Sequence, residues 1–274
     1  ESRDGLVLHF ELSNQVELQN FKEHLKLTPE LPGMSVEREY GNSYSLKGQW
    51  DSKQDYEMAL TPGLKFGGAE ELKETITRAL VTEAVPTYLG FGHEGKFYFP
   101  RQGGLSLPLE SRNVAKAKLS LYKLFPSNLV VALRDMGQQE QSTPTISWSK
   151  PTGSKDLNLT VQKDRLVETA LNLNELFPDK RGVFVLQAEE TKETTASEDE
   201  YSWSPGPESK LVLITQMGLL AHWRDSELVL FAHDLYSLAP LPSAKISIYS
   251  EKNQLLGEGN TDAQGMVHLT KFDE

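Results

Sequence analysis

Between Leu228 and Leu269 apolar residues alternate with polar ones, as in Leu228, Leu230 and Ala232, then Ile246 and Ile248. The runs are cut by Pro240, Pro242, Asn253, Gly257, Asn260 and Gly265. A period of two broken by turn formers predicts short antiparallel strands and leaves no room for an amphipathic helix. The segment Thr261-Asp262-Ala263-Gln264-Gly265 is predicted to close one hairpin. An Asp or Thr side chain can bond the turn's own backbone, and Gly265 can take the positive φ that a bulged hairpin needs.

The same punctuation runs upstream. Leu6, Leu8, Phe10 and Leu12 fall on one face of a strand, and Pro29, Pro32 and Gly33 break the run that follows. Phe21 to Leu25 allows a helical turn. Tyr44 to Leu46 and Tyr56 to Leu60 read as strands, the second closed by Pro62-Gly63 in a type II turn. Glu74 to Leu80 reads as the closing strand of a first module, with a linker near Thr82 to Pro86.

Ser127 to Gly137 is the one predicted helix. Ser127 is placed to cap it, Leu129, Ala132, Leu133 and Met136 form its apolar stripe, and Gly137 is placed to stop it. Gln138 to Lys155 is polar, with Pro144, Pro151 and Gly153, and reads as loop plus one strand about Ile146 and Trp148. Leu211 to Thr215 reopens a strand pattern, so a boundary is placed near Pro205 to Pro207. At 274 residues the chain divides into an Ig-like β-sandwich at 1–84, a second sandwich at 85–206, and a third, truncated one at 207–274. The predicted fold class is all-β: tandem antiparallel sandwiches with one short inserted helix.

Composition removes several function classes. The formal charge is −11, with no cluster of Lys and Arg, whereas nucleic-acid binding needs a basic footprint that displaces counterions. No apolar stretch approaches the roughly 18 residues of a membrane helix. With no cysteine, disulfides, Cys-ligated zinc and thiol nucleophiles are all excluded. The abrupt start at Glu1 and end at Glu274 suggest a piece of something longer.

Catalytic motifs are equally scarce. Ser120-Leu121-Tyr122-Lys123 matches Ser-x-x-Lys, but in a strand Ser120 and Lys123 face opposite sides, so a chance match is expected. His9, His24, His93, His222, His233 and His268 lie more than four residues apart and suggest no metal cluster. Trp148, Trp203 and Trp223 are read as packing residues rather than a sugar-stacking platform. The acidic run Glu189 to Glu200 lacks calcium-loop spacing and is read as a solvated hairpin loop. No catalytic, cofactor-binding or metal-binding residue is assigned, and no cofactor is expected.

Several ordered strings resemble one family. At the C-terminal end these are Met217-Gly218-Leu219, the Asp234-Leu235 corner, Ala244-Lys245-Ile246-Ser247-Ile248-Tyr249 and the Thr-Asp-x-x-Gly turn. Upstream they are Phe97-Tyr98-Phe99-Pro100-Arg101-Gln102-Gly103, Leu107-Pro108-Leu109-Glu110-Ser111-Arg112-Asn113-Val114, the strand Ala117-Leu119-Leu121, and Leu171, Leu173, Leu176 with Arg181 to Ala188 as closing strands. Together they resemble the Ig-like and macroglobulin modules of bacterial alpha-2-macroglobulins. The resemblance implies a periplasmic protein, often lipid-anchored to the inner membrane, that inhibits proteases broadly. In that family a protease cuts a bait region and is trapped by the ensuing rearrangement, covalently where a thioester exists. Neither bait nor thioester lies in this sequence, so its modules are expected to be scaffold and not an enzyme, with proteases as partners of the whole protein. An adhesin or cell-envelope scaffold of Ig-like repeats shares the strands and the acidity, and stands as the alternative.

Overall fold

The structure, a computed structural model, describes residues 3, 5–66, 70–92, 106–138, 149–176, 181–191, 206–224 and 227–270. Its described strands are antiparallel throughout and collect around three apolar cores, with a small fourth cluster of Val185, Leu211, Tyr122 and Val183 on strands of the middle module.

The first core is enclosed by β1 (Val7–Glu11), α1 (Leu18–His24), β2 (Leu25–Thr28), β3 (Ser35–Arg38), β4 (Ser43–Lys47), β5 (Asp55–Leu60), β6 (Lys65–Phe66), β7 (Glu70–Glu71) and β8 (Ile76–Val81). Sheets ordered β1-β4-β3 and β2-β5-β8 face each other, with β6-β7 as a small ribbon. Leu6, Leu8, Phe10 and Leu12 line the inner side of β1, as their alternation predicts. They meet Phe21, the buried residue of α1, and Tyr44, both fully buried, with ring centroids of the latter pair 5.0 Å apart. Tyr44 could be buried because its hydroxyl donates to the Val16 carbonyl at 2.7 Å and accepts from the Val16 N–H at 3.2 Å.

The middle core lies between two sheets. One is ordered β13-β10-β9 and the other β12-β11-β14-β15, from β9 (Tyr88–Phe91), β10 (Ser106–Arg112), β11 (Lys116–Leu124), β12 (Ser149–Asn158), β13 (Val167–Asn172), β14 (Gly182–Glu190) and β15 (Glu208–Ile214). Leu107, Leu109, Leu119, Leu186 and Val212, all fully buried, form its centre. Helix α2 (Leu129–Gln138) is inserted between β11 and β12, and the single turn α3 (Leu173–Leu176) follows β13.

The last core is smaller. It sits between β16-β17-β20 and β18-β19, built from β16 (Met217–Arg224), β17 (Glu227–Asp234), β18 (Lys245–Tyr249), β19 (Leu255–Asn260) and β20 (Met266–Leu269). Leu230, Ile246, Val267 and Leu269 are its buried members. Edge strand β16 is mostly open: Leu219 and Trp223 pair with Ala232 and Leu228, on the core-facing side of β17, yet are 51% and 57% exposed.

The turn at Thr261 to Gly265 is not the predicted hairpin: β19 pairs with β18 and β20 with β17, so the turn carries the chain from one sheet of the last module to the other. Thr261 Oγ1 bonds outside it, to the Ala244 N–H and the Leu241 carbonyl, whereas Asp262 and Gly265 do what was predicted of them. Asp262 Oδ1 accepts from the N–H of Gln264 and of Met266, each at 2.9 Å, and Gly265 has φ +75°. A Cβ on Gly265 would lie 2.5 Å from the Ala232 carbonyl oxygen, so glycine is required twice, by backbone angle and by space.

Four further expectations need correction. Residues 208–214 were placed in the last module, but β15 pairs with β14 along Gly182 to Ala188, and Val212 and Ile214 are buried in the middle core. An apolar strand shows its period, not which sheet it joins. Residues 149–155 were read largely as loop, whereas β12 is a ten-residue edge strand hydrogen-bonded to β11. Its side chains are almost all exposed, so no apolar alternation marks it, and Pro151 is tolerated at an edge beside a bulge. Leu173 and Leu176 are not on a strand: they form the turn α3, with Leu173 fully buried. Ser127 does not cap the helix. It lies inside a 3-10 turn, Pro126–Asn128, that follows Phe125 and leads into α2, which runs past Gly137 to Gln138. The strand centre at Ile146 and Trp148, the string Phe97 to Gly103 and most of the acidic run lie outside the described residues. No described helix is long and apolar enough to cross a membrane.

Candidate functional site: a polar latch between the first two modules

Three loops converge where the first module meets the second. The first is the turn Asp51 to Gln54 between β4 and β5. The second is Asn113, the residue after β10. The third is the turn Gln162 to Arg165, closed by the Arg165 N–H donating to the Gln162 carbonyl at 3.0 Å. Lys53, Asn113 and Asp164 have φ of +55°, +57° and +61°, in the left-handed region. Asn and Asp reach it more readily than other side chains, because their short polar groups bond nearby backbone. Left-handed non-glycine residues cost energy and persist where surroundings hold them.

Here the surroundings are a closed ring. Asn113 Oδ1 accepts from the Asp164 N–H at 2.8 Å, and Asn113 Nδ2 donates to Asp164 Oδ1 at 3.0 Å. The Asp164 carboxylate accepts from the Ser52 N–H at 2.9 Å and from the Ser52 hydroxyl at 2.8 Å. The same hydroxyl accepts from the Val85 N–H at 2.8 Å, and Asn113 Nδ2 also reaches the Val85 carbonyl at 3.3 Å. Val85 is a buried member of the first core. The connecting chain itself is therefore held on both its N–H and its C=O. Asp164 is 6% exposed, and burial alone would raise its pKa; the bonds from Ser52 and Asn113 outweigh burial and hold it below the ordinary carboxylate value.

A second group of bonds flanks the ring. Arg165 Nη2 donates to Asp51 Oδ1 at 2.6 Å, and its Nη1 donates to the Trp50 carbonyl at 3.2 Å. Arg112, 4% exposed, donates to the Pro86 carbonyl at 2.9 Å and to the Arg3 carbonyl at 2.8 Å, and lies over the Tyr88 ring at 5.7 Å. Arg3 grips the buried Glu110 carboxylate with two bonds, at 2.7 and 2.6 Å. Planar two-point pairing of this kind is the strongest form of ion pair, and it neutralises a carboxylate that burial would otherwise penalise. Burial raises Tyr88, helped by Glu110 and Glu208, and burial also raises Glu208. A cleft of about 340 Å³ remains between the modules, lined by Trp50, Val85, Arg112 and Asp164 among others.

This arrangement can hold two bodies together. Glu110 and Asp164 are occupied as acceptors for Arg3, Ser52 and Asn113. Ser120 and Lys123 lie on the continuous strand β11, three residues apart and hence on opposite faces. The histidines are scattered: His9 faces Glu39 at 3.0 Å, His24 meets the Thr61 hydroxyl at 3.0 Å, His268 meets Glu227 at 2.8 Å, and His233 stacks on Phe231. His222 is exposed on β16, and His93 lies outside the described residues. Among the described residues no three His, Cys, Asp or Glu side chains are grouped to hold a metal. Trp148 and Trp203 also lie outside the described residues; Trp223 is exposed, contrary to its reading as a packing residue, and Trp50 is the tryptophan that packs, edge-on to Tyr56.

Sequence reasoning missed the latch. Glu110, Arg112 and Asn113 stand inside the string Leu107 to Val114, which was read as strand markers only. Asp164 and Ser52 carry no local signal beyond being polar residues in turns.

Residues 214–274 match the family model described as the bacterial alpha-2-macroglobulin MG3 domain. No curated protein matches the sequence. Among solved structures, the chain is similar to native alpha-2-macroglobulin from Escherichia coli spanning domains MG0-NIE-MG1, at 18% identity, over 99% of this chain and 86% of that one, with a TM-score of 0.55. It is similar to a Salmonella alpha-2-macroglobulin mutant at 18% identity, over 98% of this chain but 16% of that one, with a TM-score of 0.52. Trypsin-activated alpha-2-macroglobulin from Escherichia coli aligns at 21% identity over 68% of this chain and 12% of that one, with a TM-score of 0.52. At these identities the structural likeness is one of fold.

Proposed function

We propose that this chain, which belongs to the bacterial alpha-2-macroglobulin family through its residues 214–274, is a scaffold portion of a protease-trapping protein. The observation that carries the reading is the family match to the last module, joined to a fold shared over 99% of the chain with the three-domain Escherichia coli fragment. Within the proposal, residues up to Val85 form a first module, Pro86 to Thr215 a second, and Gln216 onward a third.

The division of labour follows from the chemistry present. A trap needs rigid bodies that keep their mutual orientation until cleavage elsewhere releases them, and the latch supplies such rigidity at one joint. Proteases are the partners of the whole protein, and that Escherichia coli relatives take a trypsin-activated form supports this choice. The chain itself is not an enzyme in this reading, needs no cofactor, and works in the periplasm, in a protein held at the inner membrane by a lipid.

The test compares the whole protein that carries this chain with residues 1–274 alone. After incubation with trypsin, the whole protein should suppress hydrolysis of a large protein substrate while leaving hydrolysis of a small peptide ester largely intact, because a trapped protease keeps its active site but loses access. Residues 1–274 alone should suppress neither. Unimpaired digestion of the large substrate by trypsin in the presence of the whole protein would refute the trap.

A further inference from the structure

The two joints of this chain are built differently, and that difference carries a mechanical consequence. At the first joint the connecting residues Val85 and Pro86 are pinned through their own backbone by Ser52, Asn113 and Arg112. Loops from both modules and the N-terminal Arg3 converge on the same place, and the ring residues Ser52, Val85, Asn113 and Asp164 are bonded to one another without a break. To swing one module on the other, several part-buried donors and acceptors would have to part together, since Ser52 and Asn113 both converge on the buried carboxylate of Asp164.

At the second joint two residues, Thr215 and Gln216, connect β15 to β16. The bonds at this joint include Arg181 Nη2 to Gln216 Oε1 at 2.9 Å and Asn253 Nδ2 to the Ser127 carbonyl at 3.1 Å, both exposed, the Leu235 N–H donating to the Gln216 carbonyl at 2.8 Å, and, also exposed, the Met217 N–H donating to Thr215 Oγ1 at 3.0 Å. Exposed bonds exchange readily with water and hold an orientation weakly. Reorientation of packed modules is absorbed by a few residues at such connections.

We propose that the first two modules are one mechanical unit, locked by the ring of Ser52, Val85, Asn113 and Asp164, and that reorientation within the chain is confined to Thr215–Gln216. The unit so defined runs from Gly5 to Ile214 and acts as a lever carrying the last module. This assignment rests on the two joints and not on what the whole protein does to a protease.

Spin-label distance measurements test it directly, because the chain has no native cysteine to block. Labels go on exposed strand or turn positions: Glu57→Cys with Lys118→Cys across the first joint, and Lys118→Cys with Glu251→Cys across the second. The first pair should give one narrow distance distribution, and the second a distribution about twofold or more wider, as a hinge allows. Asp164→Gly, which keeps the positive φ while deleting the carboxylate, should widen the first distribution toward the second and leave the second unchanged. Ser52→Ala, a milder cut of the same ring, should widen it less. A first distribution as wide as the second in the unaltered chain, or one that stays narrow in both ring variants, would overturn the proposal.

Discussion

The joint between the first two modules and the joint before the last one solve the same problem with opposite means. The first spends buried, charged and left-handed residues on one spot: Glu110 at 4% exposure, Arg112 at 4%, Asp164 at 6%, with Asn113 and Asp164 both at positive φ. The second uses a short connection and exposed amide and guanidinium contacts. Burying polar groups is costly unless partners are present, so a densely bonded network specifies one arrangement where a wet one tolerates many. At the first joint the ring is bonded throughout, and Trp50 Nε1 and Thr87 Oγ1 beside it are the buried polar atoms left without a partner among the described residues. Rigidity in this chain is thus a local property of bond satisfaction, not of module size.

The largest expected effect separates the last module from the rest. Gly265→Val forces a β-branched side chain to positive φ and its Cβ to 2.5 Å from the Ala232 carbonyl oxygen. The cost is about 3 kcal/mol or more, enough to unfold a module whose core has few buried members. In calorimetry the transition of the last module should disappear or drop, with those of the first two unmoved; a parallel drop in all transitions would mean that the second joint is tighter than its bonds suggest. Gln264→Ala, one position earlier and exposed, should leave every midpoint in place.

Asp164→Ala strikes the other joint. It strands the Ser52 N–H and Asn113 Nδ2 without their carboxylate and places a Cβ-bearing residue without a polar side chain at φ +61°. A loss of about 3 kcal/mol is expected, felt by the first and middle modules together. Urea unfolding followed by tryptophan emission at Trp50, which lies beside the latch, should register it. An unchanged midpoint would show that the ring is decorative.

Acid sharpens the contrast, and the sign can be worked out from the shifts. Asp164 is held below the ordinary carboxylate value, so its contribution is fully present above about pH 4 and is lost as pH falls through its lower folded value. Between neutrality and about pH 4 the first joint should therefore hold, then loosen as Asp164 protonates below that. Backbone amide exchange at Ser52 and Val85, measured against pH after correction for the intrinsic rate, should show this order; progressive loosening that begins near pH 6 would contradict it.

Of the variants at the first joint, the smallest effect is expected from Arg165→Ala. Its partner Asp51 is half exposed, and such pairs contribute about 0–1 kcal/mol. A loss as large as that of Asp164→Ala would move the centre of the latch from the ring to its rim.

What the sequence discloses and what it hides follow a physical divide. Local periodicity and turn chemistry are legible, so the inner stripe of β1, the alternation of β17 and β18, and the glycine turn at Gly265 are all recovered from residue order. Allegiance is not legible. Nothing in Leu211 to Ile214 says that these residues complete the middle sheet, and nothing in Ser149 to Lys155 reveals an edge strand whose side chains almost all face water. The latch is hidden for the same reason: Ser52 and Asp164 lie 112 positions apart, and each alone is an ordinary turn residue. Asn113 offered the one usable signal, an Asn directly after a strand where left-handed backbone is common.

Residual dipolar couplings from the aligned chain put the central claim to the most direct test. If the latch makes one body of the first two modules, a single alignment tensor will fit the described amides from Gly5 to Ile214, and a second, different tensor will be needed from Met217 to Thr270. Separate tensors for the two sides of Val85, or one tensor for the whole chain, would contradict it.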